Sequence, residues 1–262
     1  MASVIQMEVR PGRVEDNLAR ALAGVRAAAG WGSNLVLLPE MFTCGFDNEN
    51  LAAHAGASER ALSLLSEAAA GRSVMICGSL PEVSGGKIYN TAVAIGPDGR
   101  VLCRYRKIHL FRPTEEDRYF GAGESPGLFP TPWGKVGIMT CYDLRFPELA
   151  RSLCAAGAAM LLVPAQWPSV RIRHWEVLLA ARAVENQVFV IGANACGKSG
   201  DLLLGGRSAL LSPWGRILKR AGARPARLSA RLDMDEVERA RKAVPVWEDR
   251  RPAAYGKAGT EQ

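Results

Sequence analysis

The sequence holds no CxxC pair, no HExxH and no other metal-ligand spacing, and its three histidines, His54, His109 and His174, stand far apart. A metal centre is not expected. No apolar run approaches the ~20 residues a membrane-spanning helix needs. The opening residues MASVIQMEVR lack a basic stretch followed by a long apolar core, so no secretion leader is read. The six cysteines (Cys44, Cys77, Cys103, Cys141, Cys154 and Cys196) are dispersed, which reads as reduced thiols in a cytoplasm rather than a disulfide framework. Lys and Arg number 33 against 26 acids, yet Arg10, Arg60, Arg100, Arg151 and Arg239 are scattered along the chain. That spread describes a solvated surface, not a nucleic-acid footprint. No linker or break in composition divides the 262 residues, so a single domain over 1–242 is expected. The polar, proline-rich residues 243–262 read as an extended tail able to reach a partner subunit.

What is present is an order of elements that occurs twice. Residues 2–8 alternate as a strand, VEDNLARALAGVRAAAG spaces its apolar residues as an amphipathic helix, and NLVLLPE is a short apolar run ending near Pro39. A helix over about 58–70, the apolar strand SVMICGSL and a hairpin turning on Pro-Asp-Gly complete the first round. The second round runs KVGIMTC (strand), FPELARSLCAAG (helix), AMLLVP (strand), RIRHWEVLLAARAVENQ (helix) and VFVIGANA (strand). It closes with a hairpin turning on Pro-Trp-Gly. Two such halves predict a duplicated α/β protein whose sheets share a core while helices cover the outer faces, a four-layer α-β-β-α sandwich.

Three reactive side chains stand at the ends of predicted strands. Glu40 follows Pro39, Lys107 follows VLCRYR, and Cys141 closes KVGIMTC just before a helix. Carboxyl ends of strands are where side chains converge on a pocket in α/β sheets. A thiol with an ordinary pKa of ~8.5 needs a neighbouring base to become a good nucleophile, which Glu40 can supply. Lys107 and the backbone N–H of Tyr142 can hold the charge that develops on a carbonyl oxygen. On residues alone, a core cysteine with a surface Glu and a surface Lys is the alternative reading.

The segments LLPEMF, YRKIHLF and TCYDLRFPELAR, in that order and spacing, resemble the three signature regions of the nitrilase superfamily of carbon–nitrogen hydrolases. LLAARAVENQVFVIGAN is similar to that family's later helix–strand unit, and the resemblance runs from residue 2 to about 240. It implies the duplicated α-β-β-α sandwich, and it puts the family's catalytic Glu, Lys and Cys on Glu40, Lys107 and Cys141. A second pocket carboxylate falls on Glu116, with Glu115 the alternative. His109 is read as structural. GAGESPG (121–127) is not read as a phosphate loop, because it does not join a strand to a helix in a βαβ unit.

The implied chemistry is acyl transfer through a thioester, with no cofactor. Tyr142-Asp143 after the nucleophile resembles the family's amidases, whereas its nitrilases carry Trp-Glu there. CYDLRFPELAR and PAQWPSVRIRHWEVLLAARAVENQ look most like the omega-amidases, which hydrolyse the terminal amide of 2-oxo dicarboxylic acid monoamides. Arg145 either anchors a substrate carboxylate or fixes its loop in an ion pair. Hydrolysis of N-carbamoyl compounds is the competing expectation, and a binding or scaffold module with a dead site is the non-enzymatic one. The resemblance also implies a homodimer or higher homo-oligomer, associating through the helices near Cys141. A small-molecule amide is the expected partner, with neither nucleic acid nor membrane.

Overall fold

The computed structural model describes residues 1–255. In chain order the larger elements are β1 (Ala2–Gln6), α1 (Val14–Gly30), β2 (Leu35–Leu37), α2 (Leu51–Ala70), β3 (Met75–Ser84), β4 (Lys87–Ile95), β5 (Val101–Arg106), α3 (Glu116–Tyr119), β6 (Gly127–Thr131) and β7 (Gly134–Ile138). There follow α4 (Pro147–Ala155), β8 (Ala158–Ala165), α5 (Ile172–Asn186), β9 (Phe189–Asn194), β10 (Cys196–Ser199) and β11 (Leu202–Gly205). The last are β12 (Ala209–Leu211), β13 (Ile217–Arg220), β14 (Ala226–Ala230) and α6 (Asp235–Ala243).

The strands form two six-stranded sheets, ordered β14-β1-β2-β3-β4-β5 and β13-β12-β9-β8-β7-β6, with β10 and β11 as a separate hairpin. The duplication is visible in the pairing. β1, β2 and β3 run parallel, as do β7, β8 and β9; β4–β5 and β12–β13 then continue each sheet antiparallel. The outer strands β14 and β6 each pair antiparallel with the first strand of a half.

Alternation along the strands sorts the layers. Val4, Leu35, Leu37 and Cys77 join one core with Ile138, Leu162 and Ile191 of the second sheet, whereas Ile5, Val36, Leu38 and Ile76 turn to Leu18 and Val25 of α1 and Leu62 and Leu65 of α2. Leu149 and Leu153 of α4, with Trp175 and Leu179 of α5, cover the second sheet. The layers therefore run helix, sheet, sheet, helix. No helix among the described residues is long and apolar enough to cross a membrane.

Several expectations shift in detail. The helix read as starting near residue 58 begins at Leu51, because Leu51 and Ala55 are buried and extend its packed face. The strand expected to run into Cys141 ends at Ile138. β6, β14 and the β10–β11 hairpin were not anticipated; each strand is only four or five residues long and partly exposed, unlike the fully buried central strands. Residues 246–249 and 252–255 form short helical turns, not the extended tail expected. Trp247 draws the chain in, packing on the core and donating from Nε1 to the Asn186 carbonyl at 3.3 Å. Residues 256–262 of that tail lie outside the described residues.

Candidate active site

Four segments carry side chains to one spot at the strand ends. β2 stops at Leu37; the chain then passes Pro39 and takes a left-handed turn at Met41 (φ 45°), whose N–H donates to Ser79 Oγ at 2.8 Å. Glu40 is thereby left fully buried. Its Oε1 accepts from Lys107 Nζ (2.9 Å) and Asn90 Nδ2 (2.8 Å), and its Oε2 accepts from the Gln166 N–H (2.9 Å). Asn90 belongs to β4 of the first sheet and Gln166 follows β8 of the second, so both halves of the fold grip this carboxylate.

Lys107 leaves β5 with its N–H on the Asn90 carbonyl (2.9 Å) and ends with Nζ 2.8 Å and 2.9 Å from the two Glu116 oxygens. The GAGESPG segment fixes the backbone behind it. Gly123 donates to the Lys107 carbonyl at 2.8 Å, and a Cβ there would stand 2.0 Å from the Arg106 oxygen. Only glycine allows that approach, so these glycines serve packing.

The two adjacent acids differ in backbone conformation and burial. Glu115 is left-handed (φ 57°), exposed, and paired with Arg118 at 2.6 Å. Glu116 is buried and accepts from the Phe111 N–H at 2.7 Å as well as from Lys107.

Cys141 opens a tight helical turn over Cys141–Arg145, with φ of 46°. A non-glycine residue held there is strained, and the turn is held by Asp143. That buried carboxylate accepts four hydrogen bonds: Tyr105 O–H at 2.6 Å, Thr140 N–H at 2.8 Å, His109 N–H at 3.0 Å and His109 Nδ1 at 2.7 Å. His109 also lies flat against Phe146, ring centroids 3.6 Å apart. It belongs to the brace behind the turn.

Burial raises the pKa of Glu40, with Lys107 pulling it back down and Glu116 pushing it further up. Burial also pushes the Cys141 thiol well above its ordinary value, and the charge of Glu40 adds to this while Lys107 opposes it. For Lys107, burial works against the ammonium, but Glu116 and Glu40 together hold its pKa well above the usual one. Burial thus favours the protonated thiol of Cys141, while the two neighbouring acids keep Lys107 an ammonium. Cys44, Cys154 and Cys196 are also pushed up by burial, each to about 12, and have no such carboxylate–lysine pair.

These groups floor a cavity of about 510 Å³ whose walls include Phe111, Tyr142, Arg145, Trp167 and Arg171. Arg145 has no carboxylate within ion-pair distance among the described residues. Its guanidinium lies 4.8 Å from the Trp167 ring and 3.2 Å from His174 Nδ1. The loop ion pair offered as its alternative role is absent there. Sequence reasoning missed Asn90, Gln166 and the bracing role of Asp143. The motif CYD did contain Asp143, and a buried acid two residues after a nucleophile was the available signal.

A buried Glu–Lys–Glu cluster facing a strained cysteine on a duplicated α/β frame defines a class, and the whole chain agrees with it. The chain belongs to the carbon-nitrogen hydrolase family, whose model matches residues 1–242. It is an amidase of the nitrilase superfamily. It is 34% identical over 255 residues to the 2-oxoglutaramate amidase of Bacillus subtilis (strain 168), covering 97% of this chain and 98% of that one. To the omega-amidase NIT2 of Danio rerio it is 36% identical, covering 97% and 95%. Among solved structures, a mutant of the amidase from Nesterenkonia sp. AN1 matches with a TM-score of 0.88 at 30% identity, covering 97% of this chain and 95% of that chain. That structure shows covalent addition of the acetamide moiety of fluoroacetamide at its active-site cysteine.

Proposed function

We propose that this amidase hydrolyses omega-amides of 2-oxo dicarboxylic acids, with Cys141 as nucleophile, Glu40 as proton carrier and Lys107 as the oxyanion's partner. The four-residue cluster supports the chemistry. The Cys141 thiol passes its proton to Glu40 as sulfur attacks the amide carbon. The tetrahedral oxyanion is held by Lys107 and the Tyr142 backbone N–H, a preorganised interaction worth ~3 kcal/mol. As the C–N bond breaks, Glu40 returns the proton to nitrogen and ammonia departs from a thioester. Water then gives a proton to Glu40 and attacks the thioester carbon; the C–S bond breaks, and the thiol regains the proton as the acid leaves. Glu116 holds Lys107 in place by accepting from it at both oxygens.

One observation carries the substrate class: Arg145 lines the cavity and has no carboxylate partner among the described residues. A substrate carboxylate can accept from both arms of its guanidinium. A site built around that pair rejects a neutral analogue strongly, because the analogue leaves the cation unmatched. The test compares kcat/KM for 2-oxoglutaramate, glutamine, an N-carbamoyl amino acid and butyramide on wild type and Arg145→Ala. The expected result is a preference for the oxo acid that Arg145→Ala erases. Preference for the N-carbamoyl compound would replace this substrate class, and equal rates for butyramide would remove the carboxylate anchor.

A further inference from the structure

A second arginine on the same cavity is built like the first. Arg171 ends the single turn Ser169–Arg171 that leads into α5. Its backbone is fixed from two sides: Trp167 Nε1 donates to its carbonyl at 2.9 Å, and its own N–H donates to the Pro168 carbonyl at 3.1 Å. Its guanidinium lies 5.4 Å from the ring of Phe111, the residue whose N–H donates to Glu116. So Arg171 is braced on the segment that positions the pocket carboxylate, as Arg145 is braced on Trp167.

Charge pairing separates these two arginines from their neighbours. Arg173, Arg207 and Arg220 lie within 4.0 Å of Glu176, and Arg182 pairs with Glu185 at 2.9 Å. Among the described residues neither Arg145 nor Arg171 has such a partner, and both line the cavity above Cys141. Stacking on an aromatic face holds a guanidinium while leaving its in-plane N–H groups free to donate. Two half-buried cations thus line one cavity with their donors unclaimed by acids among the described residues, which leaves them available to an anionic ligand.

We infer that Arg171 is a second determinant of substrate specificity, donating together with Arg145 to the 2-oxo acid end of the substrate. This rests on the substrate class proposed above. The carboxylate and the adjacent 2-oxo oxygen together present three acceptor atoms, and one edge of a guanidinium fork pairs with two of them. A second cation raises discrimination against amides that lack the acid end.

The experiment measures kcat/KM for 2-oxoglutaramate and for butyramide on wild type, Arg171→Lys and Arg171→Ala. It also measures how well 2-oxoglutarate protects Cys141 from iodoacetamide. The charged-to-neutral ratio of kcat/KM is expected to fall roughly 10- to 100-fold in Arg171→Ala, mainly through KM. Arg171→Lys should fall between that variant and wild type, because a point charge lacks the fork. The 2-oxoglutarate concentration giving half protection should rise by a similar factor. A circular dichroism spectrum and melting curve matching wild type establish that each variant is folded, and if Arg171→Ala fails to fold, the lysine variant decides. A wild type that prefers the oxo acid, with the ratio and the protection unchanged in both variants, overturns the inference alone. A wild type with no preference overturns the substrate class and this inference with it.

Discussion

In the cycle proposed above every proton transfer runs through Glu40, and its environment sets a testable pH dependence. A carboxylate must be ionised to take a proton, so activity appears as pH rises through its pKa. Burial, only partly opposed by Lys107, raises that pKa. The acidic limb of kcat/KM should therefore lie above the ordinary carboxylate value of ~4.3, since this profile reports the free enzyme. Glu40→Gln should stop both acylation and ammonia release. A limb at or below the ordinary value would contradict the assignment.

Cys141 makes the complementary case. Its raised pKa means that no thiolate pre-exists at neutral pH. The difference in ultraviolet thiolate absorbance between wild type and Cys141→Ala should be absent at neutral pH and appear only above about pH 8.5, the ordinary thiol value. A thiolate signal at pH 7 would mean that Lys107 dominates instead. For Lys107 itself, replacement by Ala leaves Glu40 and Glu116 buried without a cation, a change of ~3–5 kcal/mol in stability. Lys107→Ala should lose turnover and melt markedly lower, whereas exposed Lys219→Ala should do neither. Thermal melts beside steady-state rates separate the two effects.

Among the elements, the turn at Cys141–Arg145 owes its shape to a single acid. Asp143 accepts four hydrogen bonds, and asparagine in its place must turn an NH2 group toward at least one donor among Thr140 N, His109 N and His109 Nδ1. Asp143→Asn should cost ~1–3 kcal/mol and lower kcat, as read by urea denaturation and turnover. Unchanged values in both would show that the turn holds itself.

The central strands and helices were legible because burial on both faces leaves continuous apolar runs, and one-sided burial leaves helical spacing. Two of the four edge strands, β14 and β6, were not. β14 pairs with β1 from the far end of the chain, so neither local pattern nor chain neighbours mark it. The same contrast holds within the site. Glu40, Lys107 and Cys141 stand out because each follows a predicted strand, where side chains converge on a pocket in α/β sheets. Asn90 and Gln166 meet Glu40 across 50 and 126 residues, and nothing local signals such a contact. Glu116 is preferred to Glu115 by resemblance alone, because the left-handed backbone of one and the burial of the other are not recorded in composition.

At the scale of the whole molecule, the duplicated fold places one catalytic segment after another at the junction of two sheets. Glu40 is bonded by Asn90 of one sheet and Gln166 beside the other, so the site forms only when the halves are packed together. The outer surface bears on assembly. Val177 and Val184 are exposed on α5, with Val170 just before it, and the turn at Gly215 abuts Val184 beside exposed Trp214. α4 presents mainly Pro147, Glu148, Ser152 and Ala155 outward, so the apolar surface expected of both helices is found on α5. We propose that this α5 face joins two copies of the chain, since exposed Val177 and Val184 lie seven residues apart on one helix face. Light scattering at micromolar concentration should give a dimer or larger, and Val177→Glu should shift it toward monomer. A monomeric wild type would contradict that proposal.

The central claim is that a covalent thioester on Cys141 lies on the path of hydrolysis. Intact-mass spectrometry after rapid mixing with a slowly hydrolysed amide tests it directly. Wild type should gain the mass of the amide less ammonia, peptide mapping should place the adduct on Cys141, and the adduct should decay as acid appears. Cys141→Ala should show no adduct and no turnover. An adduct on another residue, or sustained ammonia release by Cys141→Ala, would contradict the account.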